Sequence, residues 1–111
     1  MPPLTPAMFE IVAALAAGPL HGYAIAKRIV AMHQNTVRSM GPATLYGSIQ
    51  KLMDLGLLEE NGVLETDSRR KTYKLTQAGQ SVFAEQFNQR QRFLDSARSS
   101  APEGLASGGA R

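Results

Sequence analysis

GPATLYGSIQKLMDLG, residues 41–56, carries both ends of a helix and its buried face. Pro42 suits a first helical position, where its missing N–H costs nothing. Gly56 suits the left-handed residue that ends a helix. Between them Leu45, Ile49 and Leu52 recur at helical spacing, which predicts a helix over about 42–55 with one apolar stripe. At 100° per residue, Ala43, Gly47, Gln50 and Asp54 turn to the opposite side, with Thr44, Tyr46 and Lys51 on the flanks. The outer side is slender. Small residues there suit either close packing against another helix or entry into a DNA major groove, roughly 12 Å wide.

The segments on either side bear on that choice. Upstream, Thr5-Pro6 reads as a hydroxyl cap followed by Pro, opening a helix over about 6–17 whose apolar face is Met8, Ile11, Val12 and Leu15. Gly18-Pro19 ends it. A second helix runs from His21 or Gly22 to Met32, with Ile25, Ile29 and Met32 at i, i+4 and i+7, and Lys27 and Arg28 to the side. The polar run from Gln34 to Gly41 separates it from the third helix. Downstream the period changes. Leu57-Leu58 and Val63-Leu64-Glu65 read as extended, Thr66 to Ser68 as a turn, and Lys71, Tyr73 and Leu75 alternate with Arg70, Thr72 and Lys74 as a strand. Thr76 then caps a long helix over about 77–97, apolar at Val82, Phe83, Phe87, Phe93, Leu94 and Ala97. From 98 to 111 the chain is mostly Ser, Ala and Gly, a composition that predicts a flexible tail.

Three helices, a β-hairpin and a further helix, with a polar turn between the second and third, is the layout of a winged helix-turn-helix. The expected class is mainly α with a β-hairpin wing (α+β). Residues 1–76 form the winged unit, 77–97 a C-terminal dimerisation helix and 98–111 the tail. In this layout the third helix enters the major groove of double-stranded DNA. Gln50 offers an amide to adenine, and Thr44 a methyl or hydroxyl to a base edge. Ala43 and Gly47 keep the helix slim, Tyr46 offers a hydroxyl to phosphate, and Lys51 supplies charge to the backbone. Arg69, Arg70 and Lys71 at the hairpin would neutralise phosphates and make affinity salt-dependent. Each feature also has a plainer explanation: a basic hairpin tip can simply guard a strand edge, and Tyr46 can be ordinary core.

Charge and composition agree with this layout. The 111 residues carry a formal net charge of +3, and no acidic residue falls between Ile11 and Met53, where Lys27, Arg28, Arg38 and Lys51 occur. Asp54, Glu59, Glu60, Glu65 and Asp67 follow, and then Arg69, Arg70, Lys71 and Lys74 crowd together. Two basic zones around an acidic one suggest separate contact elements, Arg38 among them. A hydrophobic content of 43% supports a packed interior, and 6% aromatic residues with no Trp make that interior aliphatic. With no Cys, disulfides, thiolate zinc and Cys nucleophiles are excluded. The apolar run from Ile11 to Ala17 is too short to span a bilayer, and no basic leader precedes it, so a cytoplasmic location without membrane contact is expected. His21 and His33 are the only histidines and lack ligand spacing; Glu59 and Glu60 in an extended segment face opposite ways. No metal, cofactor or catalytic activity is expected.

GPLHGYAIAKRI from Gly18, GPATLYGSIQKLMDLGLLEE from Gly41 and RRKTYKLTQAG from Arg69 together resemble the PadR family of bacterial transcriptional regulators. The resemblance covers about residues 4–97 and rests on His21-Gly22-Tyr23, Thr44-Leu45-Tyr46 with Leu52 and Gly56-Leu57, and Tyr73-Lys74-Leu75-Thr76 with Gly79. It implies a winged-helix homodimer that represses promoters, with Tyr46 and its helical neighbours at DNA and the basic hairpin as wing. Length suggests the family's short branch, in which one C-terminal helix makes the dimer. Here Phe83, Phe87, Arg90, Phe93 and Leu94 are expected at the interface, with Phe83 turned inward. The sequence departs from the family pattern at Gly41, where Ser is frequent, and at Gly47, where Pro is. Some family members sense small aromatic or drug-like molecules at the dimer core. The competing expectation is therefore a dimeric module that captures an apolar effector or a protein between its C-terminal helices.

Overall fold

The computed structural model of the chain describes residues 3–61 and 71–100. Thr5 opens the first helix, α1 (Pro6–Leu15): its Oγ1 accepts from the Met8 N–H at 3.2 Å, and Pro6 follows at the first helical position. A two-residue strand, β1 (Leu20–His21), leads directly into α2 (Gly22–Met32). Gln34 and Asn35 both adopt positive φ and stop α2, and the Asn35 N–H reaches back to the Val30 carbonyl at 2.9 Å. Then come α3 (Pro42–Asp54), β2 (Leu58–Glu60), β3 (Thr72–Leu75) and α4 (Gln77–Ser100).

The three helices bury the stripes that their periodicity predicts. Ile11 and Val12 of α1, Ile25 of α2, Ile49 and Leu52 of α3, and Leu57 just beyond α3 are almost fully enclosed. Met32 is a correction. It was expected at the core but is half exposed, because it is the last residue of α2 and lines a shallow groove with Phe9, Ala13 and Ile29 instead. β1 was not expected at all. The sheet order is β1-β3-β2, all antiparallel, so β3 is central: Tyr73 pairs with Leu20 on one side and Glu60 on the other. The hairpin is thus the larger part of a three-stranded sheet. Its expected turn, Thr66 to Ser68, and the basic residues Arg69 and Arg70 lie outside the described residues.

Thr76 fastens α4 to this frame. Its Oγ1 accepts from the Gly79 N–H at 3.0 Å and donates to the Gly56 carbonyl at 2.7 Å, while its own N–H donates to the Leu57 carbonyl at 3.1 Å. Gly79 lies so close to Leu57 that a Cβ there would run into the Leu57 carbonyl oxygen. Further along, Gln86 is 3% exposed and its Oε1 accepts from the Leu4 N–H at 3.0 Å, tying α4 to the start of the chain. α4 extends to Ser100, so the first residues of the expected tail are helical.

Candidate nucleic-acid interface

α3 is gripped on one side and open on the other. Leu45, Ile49 and Leu52 are buried, whereas Ala43, Thr44, Tyr46, Gly47, Gln50 and Lys51 are all exposed. The exposed residues are small or polar, with Tyr46 the exception. The outer side also carries an internal hydrogen bond: Gln50 Nε2 donates to Asp54 Oδ1 at 2.9 Å. An unliganded Gln50 therefore already has a partner one turn along its own helix, and Asp54 adds a carboxylate to the same side. Gly41 caps α3 without a side-chain bond, leaving its first N–H groups open at the end nearest Arg38.

Tyr46 is 44% exposed, and its ring lies against the backbone of Gly22, the first residue of α2. A Cβ built on Gly22 would fall 2.5 Å from the Tyr46 Oη and 2.8 Å from its Cε1, so a larger residue there would displace the end of the ring from this position. On the sheet side, burial pushes the Tyr73 hydroxyl pKa up, and the nearby Tyr46 and Glu60 push it further. These contacts join the two motifs His21-Gly22-Tyr23 and Thr44-Leu45-Tyr46. Nothing in either stretch alone signals that they meet.

Of the expected phosphate ligands, Lys71 lies just before β3 and its Nζ is 3.4 Å from Glu60 Oε2, an ion pair open to solvent and weak for that reason. Arg38 is exposed in the segment between α2 and α3. One pair escaped the sequence reading: Tyr23, exposed on α2, lies under the Lys27 ammonium at 5.5 Å from its ring centroid. The i, i+4 spacing of an aromatic and a lysine away from the buried stripe was the signal available.

A family model described as the transcriptional regulator PadR-like family matches residues 11–85. The chain belongs to that family. The match runs from α1 into α4, so PadR-like membership covers α3 and the whole described sheet. An uncharacterised 37.1 kDa protein in a transposon of Streptomyces fradiae is 37% identical over 76 residues, 68% of this chain; the chain spans a fifth of that relative's length, 20%. Among solved structures, a PadR-like transcription factor from Bacteroides fragilis is 23% identical with a TM-score of 0.69, covering 85% of this chain and 88% of the other. A transcriptional regulator from Clostridium thermocellum is 21% identical with a TM-score of 0.70, covering 86% and 90%. The PcaV transcriptional regulator from Streptomyces coelicolor is 19% identical with a TM-score of 0.74, covering 94% and 70%. At these identities the structures establish the shared winged-helix fold.

The residues expected at a dimer interface divide along α4. Phe83 is partly buried, its ring centroid 5.7 Å from that of Phe9 in α1 and 5.7 Å from that of Phe87. The Arg90 guanidinium lies 3.7 Å from the centre of the Phe9 ring, a contact within the chain. Beyond it, Phe93 is 71% and Leu94 57% exposed. Phe87, Arg90, Phe93 and Leu94 all lie past the end of the family match. Among the described residues no cluster of three or more His, Cys, Asp or Glu could hold a metal ion, and no helix is long and apolar enough to cross a membrane.

Proposed function

We propose that the chain works as a homodimer that binds duplex DNA at a near-palindromic operator and represses transcription there. The observation that carries this reading is the division of α3. Its apolar stripe is held in the core while Ala43, Thr44, Gly47, Gln50 and Lys51 face solvent on a side slim enough for a major groove. Gln50 would exchange its bond to Asp54 for the edge of an adenine, and Thr44 would meet a neighbouring base. Lys51 and Arg38 would take phosphates, and the basic wing of Arg69, Arg70 and Lys71 would neutralise the flanking backbone.

The second copy is called for by α4. A helix with Phe87, Phe93 and Leu94 exposed gains little by standing alone in water, and the same face on a twofold-related copy would cover it. Phe83 and Arg90 would brace the base of that contact. Two copies would present two α3 helices to half-sites about one helical turn, ~34 Å, apart.

The test is binding of the full chain to duplexes selected from a random-sequence pool, followed by fluorescence anisotropy across salt concentrations. Affinity should fall steeply with salt. Lys51→Ala and Arg70→Ala should each weaken all duplexes alike and flatten the salt slope by about one unit. Gln50→Ala should change the preferred sequence. A chain that stays monomeric at micromolar concentration and ignores duplexes at low ionic strength would refute the reading. A reporter fused to a selected site then separates repression from activation.

A further inference from the structure

We propose that Tyr46 is a positioning residue: its ring, seated on Gly22, sets the angle of α3 against α2 and the wing, and thereby sets which DNA sequence α3 can read. The inference rests on the DNA-binding reading above and adds to it a device that selects the site without touching a base.

Three observations carry it. The ring occupies the place of the missing Gly22 Cβ, with Oη, Cε1 and Cζ at 2.5, 2.8 and 2.9 Å from that point. Such a contact seats the outer end of a large α3 side chain on the first turn of α2. The second observation is the sheet. Gly22 follows β1 directly, and Leu20 of β1 pairs with Tyr73 of β3, the central strand that leads out of the wing. Burial, and after it the neighbouring Tyr46, raises the Tyr73 hydroxyl pKa, which sets Tyr46 beside this strand. One phenol thus stands where α2, α3 and the wing strand meet. The third is the company Tyr46 keeps. The other outward residues of α3 are small or polar, and an aromatic ring among them would widen the helix unless it lay back along its flank, as this one does. A reading helix must be held within about half an ångström of its productive pose, and the Tyr46 ring, packed on the Gly22 backbone, is the spacer that would hold it.

The experiment compares wild type, Tyr46→Phe, Tyr46→Ala, Gly22→Ala and the double variant Gly22→Ala/Tyr46→Ala, all as the full chain. Thermal melts without DNA come first. Gly22 lies in the first turn of α2 and is not a positive-φ glycine, so Ala there should by itself be neutral or stabilising. The proposal expects the reverse in the wild-type background, a fall of about 5 °C in melting temperature, and no fall when Tyr46 is already Ala. Next comes the ratio of affinities for a duplex selected by the wild-type protein and a scrambled duplex of the same length. Gly22→Ala and Tyr46→Ala should each reduce that ratio about tenfold, the double variant no further, and Tyr46→Phe by less than about threefold. If Tyr46→Ala weakens both duplexes equally and leaves the ratio intact, the hydroxyl is a phosphate ligand and the proposal fails. It fails too if Gly22→Ala melts and discriminates like wild type, or if the two losses add. Should Gly22→Ala not fold, the contrast between Tyr46→Phe and Tyr46→Ala still decides. A wild-type chain that selects no duplex would defeat the DNA-binding reading, whereas the melts report on the ring contact regardless.

Discussion

α3 and α4 are both amphipathic helices, and they leave opposite kinds of residue uncovered. α3 buries Leu45, Ile49 and Leu52 and half-buries Met53, leaves Tyr46 as its one exposed large apolar side chain, and shows Ala43, Thr44, Gly47 and Gln50. α4 is rooted by Gly79, Val82, Phe83 and Gln86 but then runs on with Phe87, Phe93 and Leu94 in the open. The two surfaces have different uses. A slim polar face gains by hydrogen bonding and electrostatics, which is what a groove offers. A face of exposed rings gains only by losing water, which is what another apolar surface offers.

If α4 owes its direction to its root, damage there should exceed any other single change. Gly79→Val drives a branched side chain into the Leu57 carbonyl oxygen, which also accepts from Thr76. Backbone cannot yield there without disturbing β2 and the α4 cap together. A loss of more than ~3 kcal/mol is expected, with no cooperative melt by circular dichroism at 37 °C. A variant that melts like wild type would mean the root is looser than its geometry.

The far end of α4 should respond in the opposite way. Phe93→Asp with Leu94→Asp alters two side chains that touch nothing in their own chain's core, so the helical content of the single copy should survive. The assembly should not: light scattering at micromolar concentration should read one chain where wild type reads two, because a buried, unpaired carboxylate costs several kcal/mol. Collapse of the fold itself would show that the apolar end of α4 packs internally, and would remove the contrast with α3.

A smaller effect tests how the root is tied down. Gln86→Ala leaves the Leu4 N–H without its buried acceptor, which should cost about 1–3 kcal/mol in a thermal melt. DNA selectivity should stay unchanged, since neither residue belongs to the exposed side of α3.

What could be read in the sequence was whatever is local. Thr5-Pro6, Pro42 and Thr76 announce helix starts, and the stripes of α1 and α3 and the alternation around Tyr73 fix their faces within a few residues. β1 has two residues, too few for any period, and forms only because β3 offers an edge. Gln86 looks like one more polar residue on a surface helix until its partner, 82 positions away, is known. The place of Tyr46 on α3 points to DNA, but its contact with Gly22 depends on how two helices cross, and neither segment encodes that alone. Met32 fits the stripe of α2 but misses the core because it is the last residue of that helix, and periodicity does not reveal where its own helix leaves the core.

The mildest change bears on the outer face of α3. Asp54 is the last residue of that helix, ~18 Å along the axis from Pro42 at 1.5 Å per residue. That is about two Debye lengths at physiological salt, so its charge acts only weakly on phosphates near the helix start. Asp54→Asn keeps an oxygen for the Gln50 amide and removes the charge. It should tighten binding to selected and scrambled duplexes alike, by about two- to threefold at 0.1 M salt and less at higher salt. Asp54→Ala removes the same charge and also frees Gln50. The difference between the two variants therefore isolates the hydrogen bond: if Gln50 reads a base, Ala should improve the selected duplex over the scrambled one where Asn does not. Equal behaviour of the two variants on both duplexes would mean that the Gln50 amide never leaves its own helix, and the polar face of α3 would then act through shape and charge alone.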